Sequence, residues 1–275
     1  LIKKIAWHPL AIAGARSALA LPVLLLLVRP SHFKFSRAGL VSILAYAGTL
    51  ILFVTANKLT IAANVIMLQY TAPVYVAILA GWFLREHTTR WDWTAIAVAQ
   101  LGVVLFFLDD LTLGNIWGNI LALLSGFCFA VLIVSLRKQK DAYPLTFVFI
   151  GNIIIALIGL PFMFSSRPDT SGLMYLVLLG FFQVGLAYVF YTRALRNIRA
   201  VEATIMQLFE VVLNPLWVFL FIGETPGPWS FIGGAIIVFT VLSFSLLTLS
   251  KQKSPYSKLI NNPKEEQITS TMANP

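Results

Sequence analysis

ANVIMLQYTAPVYVAILAGWFLRE, residues 63–86, and VEATIMQLFEVVLNPLWVFLFIGE, residues 201–224, read as two versions of one segment set 138 positions apart. At that offset Gln69 meets Gln207 and Glu86 meets Glu224. The register continues outward without a gap, so that Arg29-Pro30 meets Arg167-Pro168 and Trp91 meets Trp229. Matches among Leu, Val and Ala would carry little weight in so apolar a chain. Shared Gln, Glu, Trp and an Arg-Pro pair at segment borders are harder to produce by chance. The echo implies a protein built from two like halves.

The chain has 275 residues, of which 59% are hydrophobic and 11% charged. A soluble domain carries roughly 25% charged residues, so a water-exposed surface cannot be covered. Several stretches reach the ~20 apolar residues that cross a bilayer core. They predict nine helices, near 8–28, 38–57, 62–84, 91–108, 115–136, 143–164, 171–191, 201–222 and 229–249. The alternating pattern of a transmembrane barrel is absent. The fold class is an all-α polytopic membrane protein.

The net charge of +9 is a topology signal. Lys3, Lys4, Lys58 and Arg167 fall on one side of the membrane. Arg29, Lys34, Arg37, Arg85, Arg90, Arg137, Lys138, Lys140, Arg193, Arg196 and Arg199 fall on the other, where the tail adds Lys251, Lys253, Lys258 and Lys264. Short loops rich in Lys and Arg stay cytoplasmic. Cations placed this way argue against nucleic acid as a partner. Cys128 is the only cysteine and lies in an apolar span, which supports neither a disulfide nor a metal site. No cleavable signal peptide is evident in the first residues.

Under the 138-residue offset, 8–28, 38–57, 62–84 and 91–108 each find a mate, whereas 115–136 has none. Its counterpart would precede residue 1, and the chain begins with Leu1. The expectation is one more helix upstream, ten in two sets of five, with both natural termini cytoplasmic. Five is odd, so the second set enters the membrane in the opposite sense. Inverted repeats of this kind place a solute site near the midplane where the halves meet. The expected organisation is a first repeat over 1–110, a second over 111–249 and a disordered cytoplasmic tail over 250–275.

Two ionisable residues lie well inside spans, Arg16 and Glu210. A charge at that depth costs at least ~2.5–3.5 kcal/mol on insertion scales and faces a cavity or a partner. At 1.5 Å per residue the two depths differ by only about 4 Å. Glu210 therefore either pairs with Arg16 or binds a substrate cation or proton, and a purely structural ion pair stands beside both readings. Thr204, Gln207, Glu210 and Asn214 recur every three to four residues, one face of a helix. Interhelical hydrogen bonding would explain such a stripe, and so would a cavity wall. Pro215 is expected to free the carbonyl of Val211, and Pro73 that of Gln69, beside which stands Tyr70. Kinked helices with freed carbonyls suit a solute site. Asn57, Tyr75, Asn152, Gln183, Tyr188 and Tyr191 are further intramembrane polar residues, each a weak signal alone. Glu86 and Glu224 close spans on opposite sides and suit helix N-terminal caps. Gly126 and Gly233-Gly234 suit close helix contacts.

Catalytic machinery is missing from the pattern. His8, His32 and His87 lie at span ends without metal-ligand spacing, and Asp109-Asp110 suits a solvated loop. No phosphate-cradling Gly-Lys-Ser/Thr loop is present, so ATP is not used by this chain and no cofactor is called for. Gradient-driven or passive movement of a small molecule is the expectation. A non-transporting assembly or sensor subunit, or a membrane-embedded lipid-modifying enzyme, are the alternatives.

HPLAIAGARSALALPVLLLL, residues 8–27, resembles the second helix of EamA-type proteins of the drug/metabolite transporter superfamily. The segment 63–86 resembles the family's fourth helix, with its proline and closing Glu, and 201–224 its ninth. The resemblance runs from about residue 1 to 249 and omits the first helix. It implies a 5+5 inverted repeat in the inner membrane and secondary transport or export of small metabolites such as amino acids, with a coupling proton or ion possible. Val211 departs from the family, whose second half often has Pro after the Glu; Pro215 comes one turn later. The site residues to test are Arg16, Gln69, Tyr70, Gln207, Glu210 and Asn214.

Overall fold

Without water, each amide and carbonyl must be satisfied within its own segment, and apolar stretches of spanning length fold as helices. A computed structural model describes residues 2–28, 36–110, 113–164, 168–213 and 227–260, with side chains through 250. Among these there is no strand. The helices in chain order are α1 (Pro9–Leu25), α2 (Arg37–Leu59), α3 (Ala62–Gln69), α4 (Ala72–Phe83), α5 (Arg90–Phe106), α6 (Ile116–Lys138) and α7 (Pro144–Met163). They continue with α8 (Thr170–Leu178), a π-helical segment (Leu179–Leu186), α9 (Ala187–Asn197), α10 (Ala200–Gln207) and α11 (Pro228–Ile260).

Six described stretches are long and apolar enough to cross a membrane: α2, α3–α4, α6, α7, α8 through α9, and Pro228–Ser250 of α11. Helix α1 is a shorter apolar helix. Helix α5 has 17 residues and carries Arg90 and Asp92 in its first turn. Of the span read over 201–222, only 201–213 is described. Helix starts follow local chemistry. The Ser36 hydroxyl accepts from Gly39 N at 3.0 Å, Thr89 and Asp92 form a capping box, and Asn115 and Asp169 cap α6 and α8.

Segments that correspond in the repeat pack against each other and run antiparallel. His8 at the start of α1 stacks on Phe162 near the end of α7, with ring centroids 4.5 Å apart. Further along, Gly14 lies against Gly159. Asp109, just beyond α5, accepts from Trp229 N at 3.1 Å, Phe106 O from Ser230 Oγ at 2.8 Å, and Gly102 meets Ile236 and Ile237. Helix α4 packs on α10. Mates that meet head to tail are what an inverted repeat produces, since the second copy enters the bilayer the other way.

The loops sort to two ends. Ser36, Glu86, Arg137, Gln139, Tyr143, Arg196 and Arg199 contact one another directly or through neighbours at one end, which holds the Arg- and Lys-rich loops. At the other, Lys58 Nζ donates to Ile5 O, and Thr60 meets Asn119. We call the first the basic end.

The span over 62–84 is interrupted at Tyr70-Thr71, one turn before Pro73, between α3 and α4. The Tyr70 carbonyl in that break accepts from Gln100 Nε2 at 2.6 Å. Two expectations change. The span read as 171–191 contains a π-helical stretch in its middle. Helix α11 continues through Ile260, so 250–260 is helical where an irregular tail was expected. A span already nucleated extends easily, because each further residue adds a hydrogen bond without a new nucleus. Pro215, Asn214 and Glu224 lie outside the described residues.

Gly233 sets the approach of α11 to α5. A Cβ there would lie 2.3 Å from Phe106 N, whereas Gly234 makes only ordinary contact and nothing lies within 4 Å of Gly81. Overpacking of this sort costs about 1–3 kcal/mol. Gly233→Val is expected to lower the melting temperature of the detergent-solubilised protein, and Gly81→Ala to leave it unchanged, in a fluorescence melt.

Candidate functional site

A cavity of about 590 Å³ lies between the halves. Its walls come from α1 (Arg16), α2 (Thr49, Phe53), α3 (Gln69, with Tyr70 just after it), α6 (Phe129), the π segment (Phe182, Gln183), α9 (Tyr188, Tyr191), α10 (Gln207) and the helical turn that follows it (Glu210). Five of the six residues singled out from sequence therefore share one cavity. The sixth, Asn214, lies outside the described residues.

Arg16 is 3% exposed. Its Nη2 donates to Gln183 Oε1 at 2.9 Å, while Nε and Nη1 have no hydrogen-bond partner. Arg16 thus contacts Gln183. A guanidinium removed from water costs several kcal/mol even after relaxation. Glu210 and Tyr70 line the same cavity, Tyr70 at the α3–α4 break. Gln69 Nε2 donates to Ser125 Oγ at 3.0 Å, and Ser125 Oγ to Thr49 O at 3.0 Å, which ties α3, α6 and α2 behind the wall. Gly126 permits this approach, since a Cβ there would lie 2.9 Å from Gln69 O. Gln207 Oε1 and Tyr191 Oη are buried without a hydrogen-bond partner.

The π segment explains why Gln183 reaches Arg16. A π-bulge widens the helix by one residue per turn and recurs at functional sites. Gly180 seats it flush on α1, where a Cβ would fall 2.7 Å from Arg16 O, and Gly185 seats it on Val23. Aromatic rings floor the cavity toward the basic end. Tyr46 packs edge-on to Tyr188 at 4.9 Å and accepts from Asn152 Nδ2 at 2.8 Å, and Tyr191 lies beside Phe129. Beyond the rings, Leu132, Ile133, Leu136 and Leu195 are fully buried.

Charged groups then seal the basic end. Arg137 Nε pairs with Glu86 Oε1 at 2.8 Å, and its Nη1 donates to Leu195 O and Arg196 O. The other oxygen of Glu86 accepts from Ala200 N at 3.0 Å, at the start of α10. Arg199 forks onto both oxygens of Asp92 at 3.1 Å and pairs with Glu202 at 2.7 Å. The Glu86–Arg137 bridge ties the end of α6 to the segment after α4, and the Asp92–Arg199 bridge ties α5 to the start of α10.

Sequence reading left Gln183, Tyr188 and Tyr191 as weak signals and missed Tyr46, Gln100 and the Asp92–Arg199 pair. Gly180 and Gly185 bracketing Gln183 were the available sign of a reshaped helix. Thr89-x-x-Asp92 was the sign of a capping box. Nothing local announces that Arg199 reaches it.

A helical, polytopic membrane protein that encloses a cavity lined by Arg, Glu, Gln and Tyr among apolar side chains has the build of a transporter. The chain belongs to the EamA-like transporter family, whose sequence profile matches residues 1–108 and 116–246. It is similar to the pseudopaline exporter CntI of Pseudomonas aeruginosa, 24% identical over 241 residues, 84% of each chain. It is also similar to the threonine/homoserine exporter RhtA of Escherichia coli, 26% identical over 154 residues, 54% of this chain and 51% of that one. A crystal structure shares the fold with a TM-score of 0.76 at 17% identity, covering 88% of this chain and 89% of the other. The chain is a multi-pass membrane transporter for a small molecule, and not an enzyme.

Proposed function

We propose that the chain exports or exchanges a small carboxylate-bearing metabolite, such as an amino acid, by alternating access through the central cavity, without ATP. Two repeats, 1–110 and 111–249, rock about that cavity. The observation that carries the reading is the buried Arg16 with two unpartnered nitrogens. Arg16 holds the carboxylate, Glu210 receives an amine or a coupling proton, and Gln69, Tyr70 and Gln207 orient the solute. Exporters among the relatives support the direction.

The excess of Lys and Arg supports a cytoplasmic basic end in the inner membrane. The inter-repeat bridges Glu86–Arg137 and Asp92–Arg199 then act as the cytoplasmic gate, closed in the conformation described. A solute panel tests the substrate class. Amino acids are expected to raise the melting temperature of the purified protein, and their carboxamides to leave it unchanged. Equal stabilisation by acid and amide would sink the carboxylate assignment.

A further inference from the structure

Helices α5 and α11, mates in the repeat, pack on each other through Gly102 and Gly233. Among the described residues, neither helix lines the central cavity. Two side chains of α5 nevertheless bind the elements that do. Asp92 holds Arg199 at the start of α10. Eight residues on, about 12 Å along the helix, Gln100 Nε2 donates to Tyr70 O at 2.6 Å. Tyr70 lines the cavity, and Gln100 stands behind it.

The Tyr70 carbonyl is open to Gln100 because the helix breaks there. In a continuous helix it would accept from Val74 N, but that amide donates to Thr71 O at 3.0 Å. Pro73 has no amide hydrogen to offer, and the Thr71 hydroxyl is turned to Leu68 O at 2.7 Å. Gln100 lies ten residues beyond Arg90, about 15 Å into a hydrocarbon core of about 30 Å. At that depth the side-chain amide and the carbonyl satisfy each other in place of water. The bond goes to the backbone of Tyr70, so it sets where that residue stands. We propose that Gln100 is a positioning residue. It fixes Tyr70 on the cavity wall and makes that stretch of wall follow α5, the helix anchored by the Asp92–Arg199 bridge. Its bearing on transport rests on the central cavity being the solute path, whereas a probe at position 70 needs no solute, so the two fail separately.

A nitroxide at position 70 tests this, because Tyr70→Cys leaves the backbone carbonyl for Gln100. The full chain carrying Cys128→Ser and Tyr70→Cys is spin-labelled and reconstituted in lipid vesicles. Gln100→Leu is expected to raise the ratio of mobile to ordered label about fivefold, the equivalent of one net hydrogen bond. A label at Phe182→Cys, on the π segment of the same cavity, should keep its spectrum. Opening the bridge with Asp92→Asn and Arg199→Met should mobilise the label at position 70 when Gln100 is present and add nothing in Gln100→Leu. Gln100→Asn leaves the amide one bond short of the carbonyl, about 1.5 Å. It should act in the same direction, and serves if Gln100→Leu does not fold. An ordered label in both Gln100 variants, an equal change at position 182, or a response to the bridge that survives Gln100→Leu would overturn the proposal.

Discussion

Arg16→Met is expected to lower substrate flux in proteoliposomes by at least ~30-fold while leaving the melting temperature unchanged or higher. The two effects separate because Arg16 is badly placed for stability and well placed for binding. Its one hydrogen bond goes to Gln183, and two of its nitrogens have none. Replacing a buried ion by an apolar group of similar volume is often neutral or stabilising. Removing the partner of a desolvated substrate charge costs about 2–5 kcal/mol, hence the fold-change. Arg16→Lys is expected to recover little, since a shorter point charge cannot serve Gln183 and a carboxylate together. Glu210→Gln should lose flux, because the amide keeps the shape and drops the charge. Wild-type flux in both Arg16→Met and Glu210→Gln would remove these residues from the site.

The second large effect lies at the basic end. Arg199→Met leaves Asp92 and Glu202 buried without their cation and is expected to cost about 2 kcal/mol. A fully buried pair broken on one side loses about 3–5 kcal/mol, and a third of Arg199 is exposed to screening. Asp92→Asn in the same chain should return part of that loss, since the amide oxygen still caps Thr89 N. A double-mutant cycle on melting temperature reads the coupling. The double variant should also leave the cavity easier to reach from the basic end. Additive single effects, with no coupling between positions 92 and 199, would show that the bridge is ornamental.

What was legible in the sequence follows from which forces are local. Span positions came from runs of apolar residues, and the order of the repeats from Gln, Glu, Trp and Arg-Pro matches that packing alone does not require. Arg16 and Glu210 stood out because a charge in hydrocarbon needs a reason. Less legible were features decided by packing between distant segments. Pro73 signals an interruption of its span, but that Tyr70-Thr71 forms it and turns the Tyr70 carbonyl to Gln100 is seen only in the fold. Gln183 gained its partner through a π segment seated by Gly180, and no periodicity in 171–191 signals the extra residue. Asp92 and Arg199 are 107 positions apart, and only the docking of α10 against α5 joins them. The helix from 250 to 260 was hidden by a polar composition that reads as disorder.

The central claim is that one cavity serves both sides of the membrane in turn. Cys128 is the only native cysteine, so Cys128→Ser provides a blank chain. A single Cys replacing Gln207, on the cavity wall, can then be titrated with a membrane-impermeant thiol reagent from either face of oriented vesicles. The account predicts labelling from both faces, slow from the basic end in the otherwise native chain and faster when Asp92→Asn and Arg199→Met open the bridge. Labelling from one face alone, unchanged by opening the bridge, would contradict it.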